Sequence, residues 1–240
     1  MRPTAHWSRP LAAGIALAAL LIAAQAGASG WSVVGPVQVL EACRPSPHGP
    51  VFTDPQGRDW ALVMDPGDAA IVNPGSGRFW TAPVPWVEEA LAALDPVLAD
   101  CIGGRVVILP FPRRELTRSS CDGQTIYLSP GVRPLSREMV HFLVFHEVGH
   151  LVHRRLLPDW DVFGWREYHR VRGLTDLRRY HHAAPLPDQP HEIFAEDFRQ
   201  LFGSPEARAL EPRSPSSAPA LESRSQAVRA FFAELLANAR

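Results

Sequence analysis

The chain has 240 residues, 46% of them hydrophobic, and its 24 Arg, no Lys and 25 acidic residues give a formal charge of −1. It is long enough to bury a sizeable core as one domain, and seven Trp with eleven Phe exclude a chain disordered throughout. The near-neutral charge removes the electrostatic case for nucleic acid, and the absence of Lys beside 24 Pro reads as the codon bias of a GC-rich bacterial genome.

Arg2 and Arg9 precede residues 11–24, an unbroken run of Leu, Ala, Ile and one Gly. Ala24-Gln25-Ala26 and Ala26-Gly27-Ala28 then match the A-x-A cleavage pattern. A charged start, a short apolar run and such a site predict a cleavable signal peptide over residues 1–28, hence a secreted or periplasmic protein. The run falls short of the roughly 20 residues a spanning helix needs. Without Arg2 and Arg9, 22 Arg face 25 acids, about −3. In an oxidising compartment the three Cys permit one bridge at most. Cys101 and Cys121 flank a predicted strand and are the expected pair, with Cys43 left over.

Residues 29–83 read as a β-rich N-terminal portion: strands over 31–40, 60–64 and 69–73, separated by turns at 54–57 and 65–68. From Pro85, apolar residues recur at helical spacing as far as Leu98, and Gly103-Gly104 stops that helix. Residues 105–109 and 124–128 read as two further strands. Ser136 is placed to cap a long helix running to about Leu156. An Arg-rich stretch over 158–189 reads as loop with some helix, and 192–202 as another helix. Residues 205–220, rich in Pro and Ser, read as a linker, and 221–240 carry a C-terminal amphipathic helix.

The chemistry concentrates in His146-Glu147-Val148-Gly149-His150, an H-E-x-x-H set inside the long predicted helix. At about 100° per residue, His150 lies roughly 40° around from His146 and one turn along, so both imidazoles can reach one ion. Glu147 lies roughly 60° further round and can border the ion without binding it. Catalytic zinc needs this set: two neutral imidazoles and a carboxylate that takes a proton from activated water. The helix is apolar nearly all round, so it is expected to be buried, and His and Glu in a dry interior need a partner such as a divalent cation.

A third protein ligand is required. His153 shares the histidine face, but a straight helix cannot wrap three residues round one ion, and the longer H-E-x-x-H-x-x-G-x-x-H arrangement is absent. Glu192-Ile193-Phe194-Ala195-Glu196 stacks two carboxylates at i and i+4 in an apolar segment, where like charges repel unless a cation separates their duties. Glu192 is therefore assigned to the metal, and Glu196 to the N–H of a ligand histidine.

H-E-V-G-H followed some forty residues later by E-I-F-A-E-D-F-R resembles the gluzincin class of zinc metallopeptidases. The second motif is similar to the E-F-F-A-E-A-F-R stretch of the catalytic domain of anthrax lethal factor and its relatives. The resemblance covers roughly residues 124–202, and its specificity comes from the two motifs together. It implies an α+β, zincin-like metallopeptidase core, here over 84–204, and a peptide or protein substrate paired along the strand at 124–128 as a sheet edge. In that family the first Glu of the second motif binds zinc and the second supports a ligand. A catalytic Tyr also stands seven residues before the ligand Glu, a position held here by Pro185. Tyr180 is the replacement expected to stabilise the oxyanion, with His181 and His182 as alternatives. The expected activity is hydrolysis of peptide bonds through a Zn2+-activated water, with Glu147 as general base. The rival reading is a secreted binding or structural protein that keeps a zincin-like core without turnover. Arg154-Arg155 and Arg178-Arg179 read as solvated surface, and His141, on the far side of the helix from His146, as structural.

Overall fold

The computed structural model describes residues 30–47, 49–212 and 215–238, so the expected signal peptide lies outside the described residues. The class is α+β. β1 (Ser32–Val34) leads into α1 (Pro36–Ala42), followed by the antiparallel hairpin β2 (Val51–Thr53) and β3 (Asp59–Ala61). α2 (Val84–Ala92) and α3 (Pro96–Ile102) precede β4 (Arg105–Ile108), β5 (Ser120–Asp122) and β6 (Thr125–Leu128). The rest is helical: α4 (Arg137–Leu156), α5 (Val162–Arg172), α6 (Pro190–Phe202), the short α7 (Pro205–Arg208) and α8 (Ser225–Asn238). Among the described residues no helix is long and apolar enough to cross a membrane.

The main sheet has the order β1-β4-β6-β5, with β1, β4 and β6 parallel and β5 antiparallel to β6. Alternate side chains enter two cores, as a period of two requires. Val106, Ile108, Ile126 and Leu128 face the helices, packing with Val140, Val144, Val148 and Phe194. Val107, Leu109 and Tyr127 face the other way, onto Val39, Phe52 and Leu62. Every residue of β6 is buried, which suits a central strand covered on both faces.

Several expectations are corrected. The strand expected over 31–40 ends at Val34, because Pro36 cannot donate to a ladder and starts a helix; the Gln38 side chain accepts from the Gly35 N–H at 2.7 Å. The segment 69–73 is not a strand. Asp65 and Asp68 turn the chain there, accepting from the Gly67 and Ala70 N–H groups through their side chains. The helix expected from Pro85 onward is two, because Asp95 caps a new start, accepting from Val97 N with Pro96 in the first turn. Cys43, Cys101 and Cys121 are free thiols. β6 intervenes between β4 and β5, so following Cys101 into β4 does not bring it beside Cys121.

The described residues of the expected linker, 205–212 and 215–220, are strapped to the core by hydrogen bonds. Ser204 caps α7, the Arg172 guanidinium donates to the Pro219 carbonyl, and Asp188 accepts from Ser216 Oγ and from Ser217 N and Oγ. Arg172 also donates to Asp197 at 2.6 Å, and Tyr168 donates to the same oxygen at 2.9 Å, so one buried cluster ties α5, α6 and the strap together.

Candidate metal centre

The long helix α4 starts where Ser136 accepts from Met139 N, with Glu138 in its first turn and His153, Arg154 and Arg155 in its last, as the helix dipole favours. It is buried on the side facing the sheet and on the side facing α6. His146 and His150 sit one turn apart, their ring centres 4.9 Å apart and nearly perpendicular, with Phe142 stacked on His146.

α6 brings Glu192 to them. Glu192 Oε2 lies 3.3 Å from His146 Nε2 and 3.5 Å from His150 Nε2, and one ligand atom from each residue falls within 4.8 Å of the others. Metal–ligand bonds of about 2.0–2.1 Å at the corners of a tetrahedron put neighbouring ligand atoms roughly 3.3 Å apart. The donor set, two imidazole nitrogens and one carboxylate oxygen, has the chemistry of three tetrahedral ligands with the fourth position left for water or substrate. Buried Glu147 Oε2 and His146 Nδ1 have no hydrogen-bond partner.

The electrostatics are those of a shared positive charge. Burial opposes protonation of His146, but the Glu192, Glu196 and Glu147 carboxylates more than offset it and push its pKa up to about 9. His150, desolvated and facing His146, is pushed down to about 4. One cationic charge therefore serves both rings, and a divalent cation can take its place. Burial opposes ionisation of Glu192 too, yet the two imidazoles hold it well below the usual carboxylate range. Glu147, wholly enclosed, is raised by burial to about 7, with His146, Arg118 and Arg113 pulling the other way. A carboxylate poised near neutrality is what a general base requires.

The remaining expected residues fall as follows. Glu196 lies on the Nδ1 side of His146, but 3.7 Å away; its closer partner is Arg199, whose Nε donates at 2.9 Å. Tyr180 is buried in the helical core and its hydroxyl donates to the Ser217 carbonyl at 3.0 Å. His181 is exposed, accepting from Ala183 N. His182 touches His191 and Trp165. His153 Nε2 lies 2.9 Å from Asp159 Oδ1. His141 is buried against Ser204 Oγ at 2.8 Å. The strand at 124–128 is not an edge, because β5 covers it.

Two residues escaped the sequence reading. His191 precedes Glu192 and lies within 6.0 Å, ring centre to ring centre, of His150, His153 and His182; adjacency to Glu192 was its one signal. Gly149, inside the H-E-x-x-H motif, is the other. A Cβ there would lie 2.7 Å from Ala195 Cα. A cavity of about 1130 Å³ opens beside the centre and reaches His146, Glu192 and Glu196. No family model, curated protein or solved structure matches this chain.

Proposed function

We propose that the chain is an exported, zinc-dependent peptidase with a zincin-like core. The observation that carries this reading is the convergence of His146, His150 and Glu192 on one point, with the unpartnered carboxylate of Glu147 beside them. Zn2+ held by these three residues would supply Lewis-acid polarisation of a scissile carbonyl and a lowered pKa for attacking water.

The chain's own groups do the rest. Glu147, with its pKa near 7, takes a proton at a carboxylate oxygen and returns it to the departing amine nitrogen. The apolar packing of α4 keeps bulk water from that carboxylate and strengthens every charge interaction around it. α6 supplies Glu192 and, behind His146, the Glu196–Arg199 pair. The cavity beside the centre admits an extended peptide. Export rests on the signal-like first 28 residues.

The test is a peptide-library screen with zinc-loaded wild type and the Glu147→Gln variant. A peptidase keeps its zinc and loses cleavage in the variant. A binding protein with the same core shows no cleavage in either.

A further inference from the structure

The cavity beside His146 is walled by residues whose charges are unequally paid off. Among its arginines, Arg172 is bonded to Asp197 at 2.6 Å. Arg118 and Arg133 also line it, and both are exposed with no ion pair or hydrogen bond among the described residues. Of their neighbours, Arg114 reaches Asp68 through both Nη atoms, whereas buried Arg113 donates to Ser120 Oγ at 2.5 Å and lies over the Trp60 and Tyr127 rings. Of the acids in the wall, Glu192 is bound to the imidazoles, Glu196 to Arg199 and Asp197 to Arg172, which leaves Glu211.

Both arginines sit on pinned backbone. Ser129 N donates to Ser119 Oγ at 3.1 Å and Ser129 Oγ to the Thr117 carbonyl at 2.7 Å, which fixes the chain on either side of Arg118. Trp80 and Gly131 exchange two backbone bonds and Ser76 N donates to the Val132 carbonyl, which fixes the chain before Arg133. Gly75 approaches Val132 so closely that a Cβ would fall on its carbonyl oxygen. The wall also carries Phe79, Leu135, Met139, Phe142 and Leu143, interspersed with polar residues such as Thr117, Ser119 and Ser136. Arg118, whose charge also acts on Glu147, and Arg133 outnumber the one acid of the wall left without an ion pair among the described residues, Glu211, and beside these apolar side chains they complement a ligand that is anionic at one place and bulky and apolar at the next.

We propose that the cleft selects an extended peptide in which an acidic side chain, held by Arg118 and Arg133, flanks a bulky apolar residue seated on Met139, Phe142 and Leu143. This rests on the peptidase reading above and names its substrate class.

The test uses zinc-loaded full-length protein and quenched peptides with Phe or Leu at the centre. Glu is placed at each flanking position in turn and compared with its Gln twin. At one register the Glu peptide is expected to have a kcat/KM roughly fivefold above its twin at low ionic strength, shrinking with salt. The Arg118→Gln/Arg133→Gln variant should handle both twins alike, and Arg118→Glu/Arg133→Glu should favour a Lys peptide. Twins that are equal in wild type, or a preference that survives in the double variant, overturn the proposal. Fluorescence anisotropy with zinc-loaded Glu147→Gln protein reads the same preference as binding. Tighter binding of the Glu twin, lost in the arginine variants, without cleavage by wild type sinks the peptidase reading and keeps the ligand class.

Discussion

Gly149 of α4 and Ala195 of α6 meet backbone to backbone: a Cβ on Gly149 would lie 2.7 Å from Ala195 Cα and 2.8 Å from its carbonyl oxygen. This contact sets how closely the two helices approach. It falls between His146 and His150 on one helix and Glu192 and Glu196 on the other, so the spacing of the candidate metal centre depends on it.

Gly149→Ala therefore sets two effects against each other. Alanine in a helix interior gains about 1 kcal/mol over glycine, whereas overpacking costs typically 1–3 kcal/mol. The expected result is a lower melting temperature and weaker zinc binding, because α6 must move away and carry Glu192 with it. A variant that melts higher and keeps its zinc affinity would show that the helices do not approach this closely.

Removing Glu192 and removing Glu147 should separate binding from chemistry. Glu192→Ala leaves two imidazoles and should weaken zinc by at least tenfold, read by competition with a chromophoric chelator. Glu147→Gln should leave zinc affinity within a few-fold of wild type and cut peptide cleavage by at least a hundredfold. Equal zinc content in wild type and Glu192→Ala would remove Glu192 from the ligand set.

Protein stripped of metal by chelation should lose stability as pH rises. His146 is raised above its ordinary value of 6.5 to about 9. Its contribution is therefore complete below pH 6.5 and lost as pH climbs through about 9. Glu147, raised by burial to about 7, adds its own loss between about 4.5 and 7. Zinc requires His146 deprotonated, so zinc-induced stabilisation should grow over the window in which the stripped protein weakens. Thermal melts from pH 6 to 9.5 with and without zinc check this, and two parallel curves would contradict it.

Tyr180→Phe should act on stability rather than turnover. The hydroxyl holds the Ser217 carbonyl on the strap, and losing one such bond costs about 1 kcal/mol. kcat on a good peptide should stay within a few-fold of wild type. A hundredfold fall in kcat with unchanged melting would return Tyr180 to the oxyanion role.

Local chemistry in the chain was enough to single out the candidate residues. Two histidines four apart share a helical face whatever surrounds them, and Ser136 caps that helix because its hydroxyl can reach the free N–H of Met139. Two glutamates four apart in an apolar helix are costly without a partner, which marked α6 from its sequence. Apolar spacing that alternates between periods of two and about 3.6 marked strands and helices, and the α+β class itself was implied by the resemblance.

Tertiary structure decided what depends on distant partners. Pro36 turned an expected strand into a helix, and β5 covered the strand read as an edge, because pairing is settled by the neighbouring segments that compete for the same backbone groups. A composition that reads as linker became a strap once Arg172, Tyr180 and Asp188 supplied partners for its backbone and hydroxyl groups. That Glu192 reaches both imidazoles follows from a glycine and an alanine allowing two helix backbones to touch. Helical periodicity sets which residues share a face, whereas the close packing of the folded chain sets how near two faces come.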